Sequence, residues 1–170
     1  MRSPVEIANE ILQKIPYLNL ATVSDDGKPW NTAVWYAKDE DYNLYFVSPK
    51  NTVHAKNIHD NNMGFVTIYD STTPEGQGVG LYIEATVSEV KDVKTIVKAI
   101  SCLYKAKKNK RQSIEFISTA SRRIYKVTPH QAWINDAEEQ NGLFLDYRIE
   151  VPLNELTQKK AWSSGSESEA

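Results

Sequence analysis

The sequence has a single cysteine, Cys102, among its 170 residues, and it has no long apolar run. One cysteine excludes an internal disulfide framework and a cluster of thiolate metal ligands. No segment approaches the ~20 apolar residues of a membrane-spanning helix. The opening residues, MRSPVEIANEIL, carry charges where a signal peptide needs an apolar stretch. We therefore expect a soluble, cytoplasmic protein that does not contact membranes.

Net charge is also nearly absent. The chain carries 20 Lys and Arg residues against 22 Asp and Glu residues, which gives a formal net charge of −2 at pH 7. This balance produces no overall attraction to nucleic acid. The basic run KAKKNKR, residues 105–111, is interpreted as the solvated end of a helix, because cations favour that end of the helix dipole and no aromatic residues interrupt the run. We expect no nucleic-acid partner.

Local patterns predict a mostly β fold with flanking α-helices. The segment SPVEIANEILQKIP predicts a first helix, since Ser3 and Glu6 form a capping box, Pro4 takes the first helical position and Pro16 ends the segment. The period-two segments YLNLATV, WNTAVWYAK and LYFVS are joined by short turns and predict an antiparallel meander. MGFVTIYD and VGLYIEATVSEV predict two further strands.

The second half of the chain predicts another helix and the closing strands. Residues 92–107 repeat apolar side chains at helical spacing, with a predicted apolar face formed by Val93, Ile96, Val97, Ile100, Leu103 and Tyr104. RRIYKVTPHQAWIND and GLFLDYRIEVPL predict the closing strands, separated by a polar turn, AEEQN. A small closed barrel accommodates these strands best. We predict one domain over residues 1–160 and a disordered tail over residues 161–170.

No pattern points to a metal site or to a familiar hydrolytic centre. His54 and His59 are five residues apart, so they do not share a helix face as ligands four apart would. No Gly-x-Ser-x-Gly turn is present. The segment GQGVG precedes a predicted strand rather than a helix, so it does not match a dinucleotide-binding loop. We expect no bound metal ion.

The polar stretch FVSPKNTVHAKNIHDNN, residues 46–62, leaves a predicted strand and begins a short helix. Asn51 or Thr52 can cap this helix through a side-chain oxygen. The same helix start can bind a phosphate through its free N–H groups, with Lys50, His54 and Lys56 nearby. From the residues alone, the helix cap and the anion site are equally good interpretations.

The ordered stretch GKPWNTAVWYAKDEDYNLYFVSPKNTVHAKNIHDN resembles the FMN-binding split barrel of the pyridoxamine-phosphate-oxidase-like family. That family has a Gly-x-Pro turn before its second strand, where Gly27 and Pro29 stand here. A later strand ends in Ser or Thr, as at Ser48, and a second hydroxyl residue follows four positions on, as at Thr52. The resemblance implies a homodimeric split β-barrel that binds FMN across the dimer interface.

The resemblance also implies which residues contact FMN. The second strand would contact the isoalloxazine side through Asn31, Thr32, Ala33, Val34 and Trp35. The phosphate and ribityl chain would be contacted by Ser48, Thr52, His54, Lys56 and Asn57. Further contacts to the ring would come from Gln77 and Gly80, and an aromatic contact from the partner subunit would come from Trp133. No residue is assigned a catalytic role.

Departures from the family pattern limit the expected activity. Thr32 and Ala37 stand where the true oxidase has an Arg and a Lys that hold phosphates, and Val53 and His54 replace an Arg–Lys pair. The true oxidase has a C-terminal Arg-Leu-His-Asp-Arg segment that binds pyridoxal phosphate, and this sequence has no counterpart to it. We therefore expect an FMN-dependent oxidoreductase that acts on another small molecule with an unidentified electron donor.

Three alternatives stay open. A non-enzymatic flavin-binding or electron-transfer module would use Trp30 or Trp35 to shield the flavin ring. A haem-binding or haem-degrading barrel would use His59 or His130 as the axial ligand. A third kind of barrel would hold a deazaflavin in the place of FMN.

Overall fold

The computed structural model describes residues 2–105, 111–140 and 143–158. The strands are β1 (Tyr17–Val23), β2 (Pro29–Lys38), β3 (Leu44–Pro49), β4 (Met63–Tyr69), β5 (Gly80–Glu89), β6 (Arg122–Gln140) and β7 (Leu143–Glu150). The helices are α1 (Pro4–Lys14), α2 (Val53–Asn61), α3 (Val93–Tyr104) and α4 (Leu153–Gln158), with a 3-10 turn at Ser113–Phe116. Among the described residues, no helix is both long and apolar enough to cross a membrane.

Six strands close into an antiparallel barrel in the order β3-β2-β1-β4-β5-β6, and pairing of β3 with β6 completes the circle. Strand β7 pairs with the C-terminal half of β6, Trp133–Gln140, and so lies outside the circle. Closure satisfies most main-chain groups without exposing a long sheet edge. The predicted mostly β fold, its flanking helices and its small barrel are confirmed.

The barrel wall is open at one place, between β2 and β3. These strands pair only along Tyr36–Lys38 and Leu44–Phe46. Beyond those residues, β2 continues beside β1 alone, and β3 continues beside β6 alone. Alternate main-chain N–H and C=O groups of residues 32–35 therefore face a gap rather than a neighbouring strand.

Side chains alternate between the barrel interior and the outside of the wall. In β1, Leu18, Leu20 and Thr22 are buried and the residues between them are not. Four large outward-facing side chains of β1, β2 and β4 stay exposed, and we call them the uncovered sheet face: Tyr17, Trp35, Met63 and Tyr69.

Helix α1 has the capping that the sequence predicts. Ser3 Oγ accepts a hydrogen bond from the N–H of Glu6 at 3.2 Å, and the Glu6 carboxylate accepts one from the N–H of Ser3 at 2.9 Å. Val5, Ala8 and Leu12 are buried in the barrel core. This prediction is confirmed because the cap and the apolar spacing are both local properties of the chain.

Helix α3 packs on the outside of β2 and β3. Ile96, Ala99 and Leu103 are buried there, in a second and smaller core that includes Phe116 of the 3-10 turn. Val93 and Val97 are instead exposed. Their assignment to the apolar face was wrong, because α3 contacts the barrel only along the narrow stripe that its buried residues form.

The predicted turn AEEQN is wrong over residues 137–140, which continue strand β6. Glu138 pairs with Leu145 and Gln140 pairs with Leu143. Cross-strand hydrogen bonding therefore outweighs a local sequence that is polar and typical of a turn. Asn141 and the predicted tail, residues 161–170, lie outside the described residues. Helix α4 was not predicted.

Candidate functional site

A cavity of about 350 Å³ occupies the gap between β2 and β3. Its lining comes from β2, from the end of β3, from the first turn of α2 and from the last residue of α3: Thr32, Ala33, Val34, Trp35, Val47, Ser48, His54 and Tyr104. Its size lies within the range that is usual for small-molecule sites. The separation of β2 from β3 thus creates both the cavity and the unpaired strand edge that borders it.

At the polar end of the cavity, two hydroxyl groups lie within hydrogen-bond distance of the same ring nitrogen of His54. Ser48 Oγ lies 2.7 Å from His54 Nε2, and Thr52 Oγ1 lies 3.0 Å from the same nitrogen. The Thr52 hydroxyl donates to the carbonyl of Pro49 at 3.0 Å. The Thr52 hydroxyl gives its one proton to Pro49, so toward His54 it can only accept a hydrogen bond. All three contacts are therefore hydrogen bonds only if Nε2 of His54 carries the ring proton and shares it between Ser48 and Thr52. The proton of Ser48 is then available to a ligand in the cavity.

His54 is buried, with 6% of its surface exposed. Its ring lies beside that of Phe46, with 6.2 Å between the centroids. Burial lowers the pKa of His54 below its ordinary value, since the interior disfavours the charged imidazolium. At neutral pH the ring of His54 is therefore neutral, so the cavity has no positive charge at this position.

Helix α2 begins beside this cluster without a side-chain cap. Thr52 occupies the N-cap position, but its hydroxyl contacts Pro49 and His54, and none of its described hydrogen bonds goes to a first-turn amide. Pro49 ends β3, because it has no N–H with which to continue the ladder. Since no side chain in the described part of the chain caps them, the first-turn N–H groups of α2 could bind an anion. This geometry favours the anion site over the helix cap.

Four residues of the predicted β2 and phosphate contacts do not line the cavity: Asn31, Thr52, Lys56 and Asn57. Asn31 is exposed on β2, and Lys56 is exposed on α2. Asn57 is buried, and its Nδ2 donates to Thr22 Oγ1 of β1 at 3.0 Å. Asn57 thus joins α2 to the barrel wall, whereas Ser48 and His54 line the cavity and Thr52 contacts His54 beside it.

The remaining predicted contacts lie elsewhere in the chain. Gln77 borders a separate groove beside α1. The N–H of Gly80 donates to Asn135 Oδ1 at 2.6 Å, at the start of β5. Trp133 is half-buried on β6 and pairs across the strands with Tyr82. None of the three lines the cavity between β2 and β3.

Two lining residues were not predicted as site residues, Val47 and Tyr104. The position of Val47 at the cavity follows from its place next to Ser48 in β3. Tyr104 was assigned only to the apolar face of α3, and nothing local in the sequence places it near the end of β3. Its ring stacks on that of Phe116 at 6.4 Å between centroids, so packing of the 3-10 turn fixes its position.

The other candidate functional side chains lie outside this cavity. His59 is exposed, with Nδ1 3.1 Å from Asp60 Oδ1, and the exposed His130 has Nε2 2.6 Å from Thr86 Oγ1. The buried Tyr36 hydroxyl has no partner among the described residues, and burial raises its pKa. Within the described ranges, no group of three His, Cys, Asp or Glu residues can hold a metal ion.

Solved structures of several proteins have this fold. A haem-binding protein from Mycobacterium smegmatis gives a TM-score of 0.64 at 12% identity, over 87% of this chain and 59% of that chain, so our chain spans less than two thirds of its length. HutZ, the haem storage protein from Vibrio cholerae, gives 0.64 at 20% identity, over 77% of this chain and 92% of that chain. A pyridoxamine 5′-phosphate oxidase-related, FMN-binding protein from Nostoc punctiforme gives 0.59 at 14% identity, over 87% of this chain and 97% of that chain. At these identities the likeness establishes the fold alone.

Family membership follows from the sequence. No curated protein matches the chain. A family model described as pyridoxamine 5′-phosphate oxidase matches residues 5–135, which include α1, strands β1 to β5 and most of β6. The chain therefore belongs to the pyridoxamine 5′-phosphate oxidase-like family, as its resemblance predicts.

Proposed function

We propose that this protein binds FMN in the cavity between β2 and β3 and acts as a flavin-dependent oxidoreductase on a small molecule. The observation that carries the proposal is the uncapped start of α2 beside Ser48, Thr52 and His54. The first-turn amides and the Ser48 hydroxyl proton form a donor set suited to a phosphate monoester, and Thr52 and His54, which are hydrogen-bonded within the cluster, position Ser48. The FMN-binding protein from Nostoc punctiforme, which has the same fold, supports this choice of ligand.

The rest of the cavity suits the other end of the same ligand. Trp35, Val47 and Tyr104 supply apolar and aromatic surface for a planar ring. The unpaired main-chain groups of residues 32–35 can hydrogen-bond the polar edge of that ring. Bound flavin would supply the electron transfer, while this chain would orient it and exclude water. The residues present fit the group in both chemistry and arrangement.

A second copy of the chain completes the proposed site. Trp35 belongs both to the cavity lining and to the uncovered sheet face. A partner subunit seated on Tyr17, Met63 and Tyr69 would bury their apolar surface and border the cavity. Gln77, Gly80 and Trp133, which lie away from the cavity within one subunit, could then contribute to the cavity of the other. We therefore propose a homodimer.

The test of the proposed function is a titration. Purified protein is mixed with FMN while visible absorbance and flavin fluorescence are measured. Quenched fluorescence that saturates at one flavin per chain would support the proposal, and consumption of NADH, NADPH or a reduced substrate would then distinguish an enzyme from an electron-transfer module. Absence of binding would overturn it. The cytoplasmic location stays a prediction.

Haem is the second candidate ligand. Two proteins with this fold are named as haem-binding and haem storage proteins, and the exposed imidazoles of His59 and His130 are accessible as axial ligands. A Soret band that His59→Ala or His130→Ala abolishes would favour haem over FMN. A deazaflavin would occupy the same cavity as FMN. A competition titration would show which of the two ligands binds more tightly.

A further inference from the structure

A second groove lies on the outward face of the barrel, at the ends of β1 and β4. Its volume is about 280 Å³. This is slightly below the range of about 300–1,000 Å³ that is usual for drug-sized ligands, so the groove suits a molecule of one or two rings. Its lining comes from β1, from β2, from the end of β4 and from the loop that follows β4, and it includes Tyr17, Asn19, Ala33, Tyr69, Asp70 and Ser71.

The groove adjoins the cavity between β2 and β3. Ala33 lines both of them. In the β1–β2 ladder, Asn19 of the groove lies opposite Ala33, and Tyr17 of the groove lies opposite Trp35 of the cavity. A ligand in the groove would therefore lie beside a flavin bound in the cavity. A molecule that reacts with the flavin has to be held next to it in this way.

Two tyrosine rings give the groove aromatic surface. Tyr17 is 56% exposed and Tyr69 is 46% exposed. Within the described part of the chain, neither ring stacks on another ring or lies beneath a cation. Flat aromatic ligands stack on such rings, and cations are attracted to their faces by the ring quadrupole. The two rings therefore favour a flat ligand and tolerate a positive charge on it.

Asp70 gives the groove its charge. The hydroxyl and the N–H of Thr72 donate to Asp70 Oδ1 at 2.6 and 2.9 Å. These bonds fix the carboxylate where β4 ends, and they hold its pKa below the ordinary value, so that it is ionised at neutral pH. The other oxygen, Oδ2, has no partner among the described residues. It can accept a positively charged ligand.

No cation of the groove offsets this carboxylate. The lining has no Lys, Arg or His. Asp70 also borders the neighbouring groove beside α1, where Arg2 and Lys14 lie, but both of these cations pair with Glu10. The lining thus combines one negative charge with two aromatic rings. Sites that recognise organic cations use the same combination of groups.

We propose that this groove binds the substrate of the flavin, and that the substrate is an aromatic cation, such as an N-alkylated heterocycle. The inference rests on the proposed binding of FMN in the adjoining cavity. The flat ring would pack on Tyr17 and Tyr69, and its positive charge would face Asp70. A partner subunit seated on the uncovered sheet face would cover the groove and exclude water from it.

The experiment compares three probes of similar shape that differ in charge: 1-methylquinolinium, quinoline and 2-naphthoate. Calorimetry at neutral pH, with and without FMN, should show the tightest binding for the cation and the weakest for the anion. Asp70→Asn should weaken 1-methylquinolinium binding about two- to fivefold, as for an accessible ion pair, and should leave quinoline binding unchanged. Tyr17→Leu should weaken it roughly two- to thirtyfold, whereas Tyr17→Phe keeps the aromatic face and should not. Asp25→Asn, at an exposed position of the β1–β2 turn, is the matched control.

The outcomes separate this inference from the proposed function. Equal affinity of the parent for all three probes, or parent-like affinity for 1-methylquinolinium in Asp70→Asn, would overturn the inference and leave the FMN site in place. An equal loss of all three probes in Asp70→Asn would indicate a structural role and would also overturn it. Parent-like FMN affinity in Asp70→Asn, together with weaker binding of the cation alone, would support it. A parent that binds the cation but no FMN would overturn the proposed function and, with it, the assignment of the cation as substrate.

Discussion

The imidazole of His54 and the hydroxyl of Ser48 meet at 2.7 Å, where β3 ends and α2 begins. Ser48 is fixed by the β3–β6 ladder, in register with Arg123, and His54 is fixed by the first turn of α2. The two donors are therefore held in place by main-chain hydrogen bonds before any ligand arrives. Such preorganisation reduces the ordering cost of binding.

Loss of the Thr52 or the His54 side chain should weaken FMN binding. Thr52→Ala removes one neutral hydrogen bond of about 0.5–1.5 kcal/mol, so FMN affinity should fall about two- to tenfold. His54→Ala removes the imidazole that contacts both hydroxyls and holds them in place, so it should cost more. Fluorescence quenching on titration measures both. His59→Ala, an exposed histidine of the same helix, is the control, and parent-like affinity in both test variants would show that the site is misplaced.

The stability of the FMN-free protein should depend on pH through His54. Its folded pKa lies below the ordinary value of 6.5 because of burial. Just below pH 6.5 the unfolded chain therefore binds more protons than the folded protein. The stabilisation from neutral His54 is fully present above that pH and is lost as the pH falls through the folded pKa. His54→Gln should flatten this loss in urea midpoints measured from about pH 7.5 to 5, and identical slopes in parent and variant would contradict the assignment.

Asn57 should matter for stability rather than for direct contact with phosphate. Asn57→Leu leaves the buried Thr22 hydroxyl without its partner and should lower the free energy of unfolding by about 1–3 kcal/mol. Urea denaturation of the FMN-free protein measures the change. FMN affinity should stay near that of the parent. Asp60→Asn, at an exposed position of the same helix, serves as the control, and a loss of FMN affinity without a loss of stability would place Asn57 in the site after all.

The proposed dimer can be disrupted at the uncovered sheet face. Tyr69→Lys would place a charge inside the contact and should raise the dimer dissociation constant by roughly a hundredfold. Light scattering across a dilution series measures this constant. Val97→Lys changes an exposed apolar residue of α3, outside the uncovered sheet face, and should leave the dimer intact. A parent protein that is monomeric at all concentrations would refute the dimer directly.

Local signals in the sequence predicted the elements that local chemistry controls. The capping box of Ser3 and Glu6 and the alternation of β1 are visible without any partner. The extension of β6 through Gln140 was missed because its partner, β7, supplies the hydrogen bonds that override a polar sequence. Tyr104 was missed at the cavity for the same kind of reason, since its position depends on Phe116 and on the packing of α3.

The β3–β6 pairing that closes the barrel also has a kinetic consequence. It joins Leu44–Pro49 to Arg122–Val127, segments that are distant in the chain, whereas the β1–β2 and β4–β5 pairs join near neighbours. Pairings of high contact order form late because loop closure must precede them. Ser48 lies in that seam, so we expect the proposed binding site to form late in folding. A ligand bound there would slow the opening of the seam and thereby lengthen the lifetime of the whole barrel.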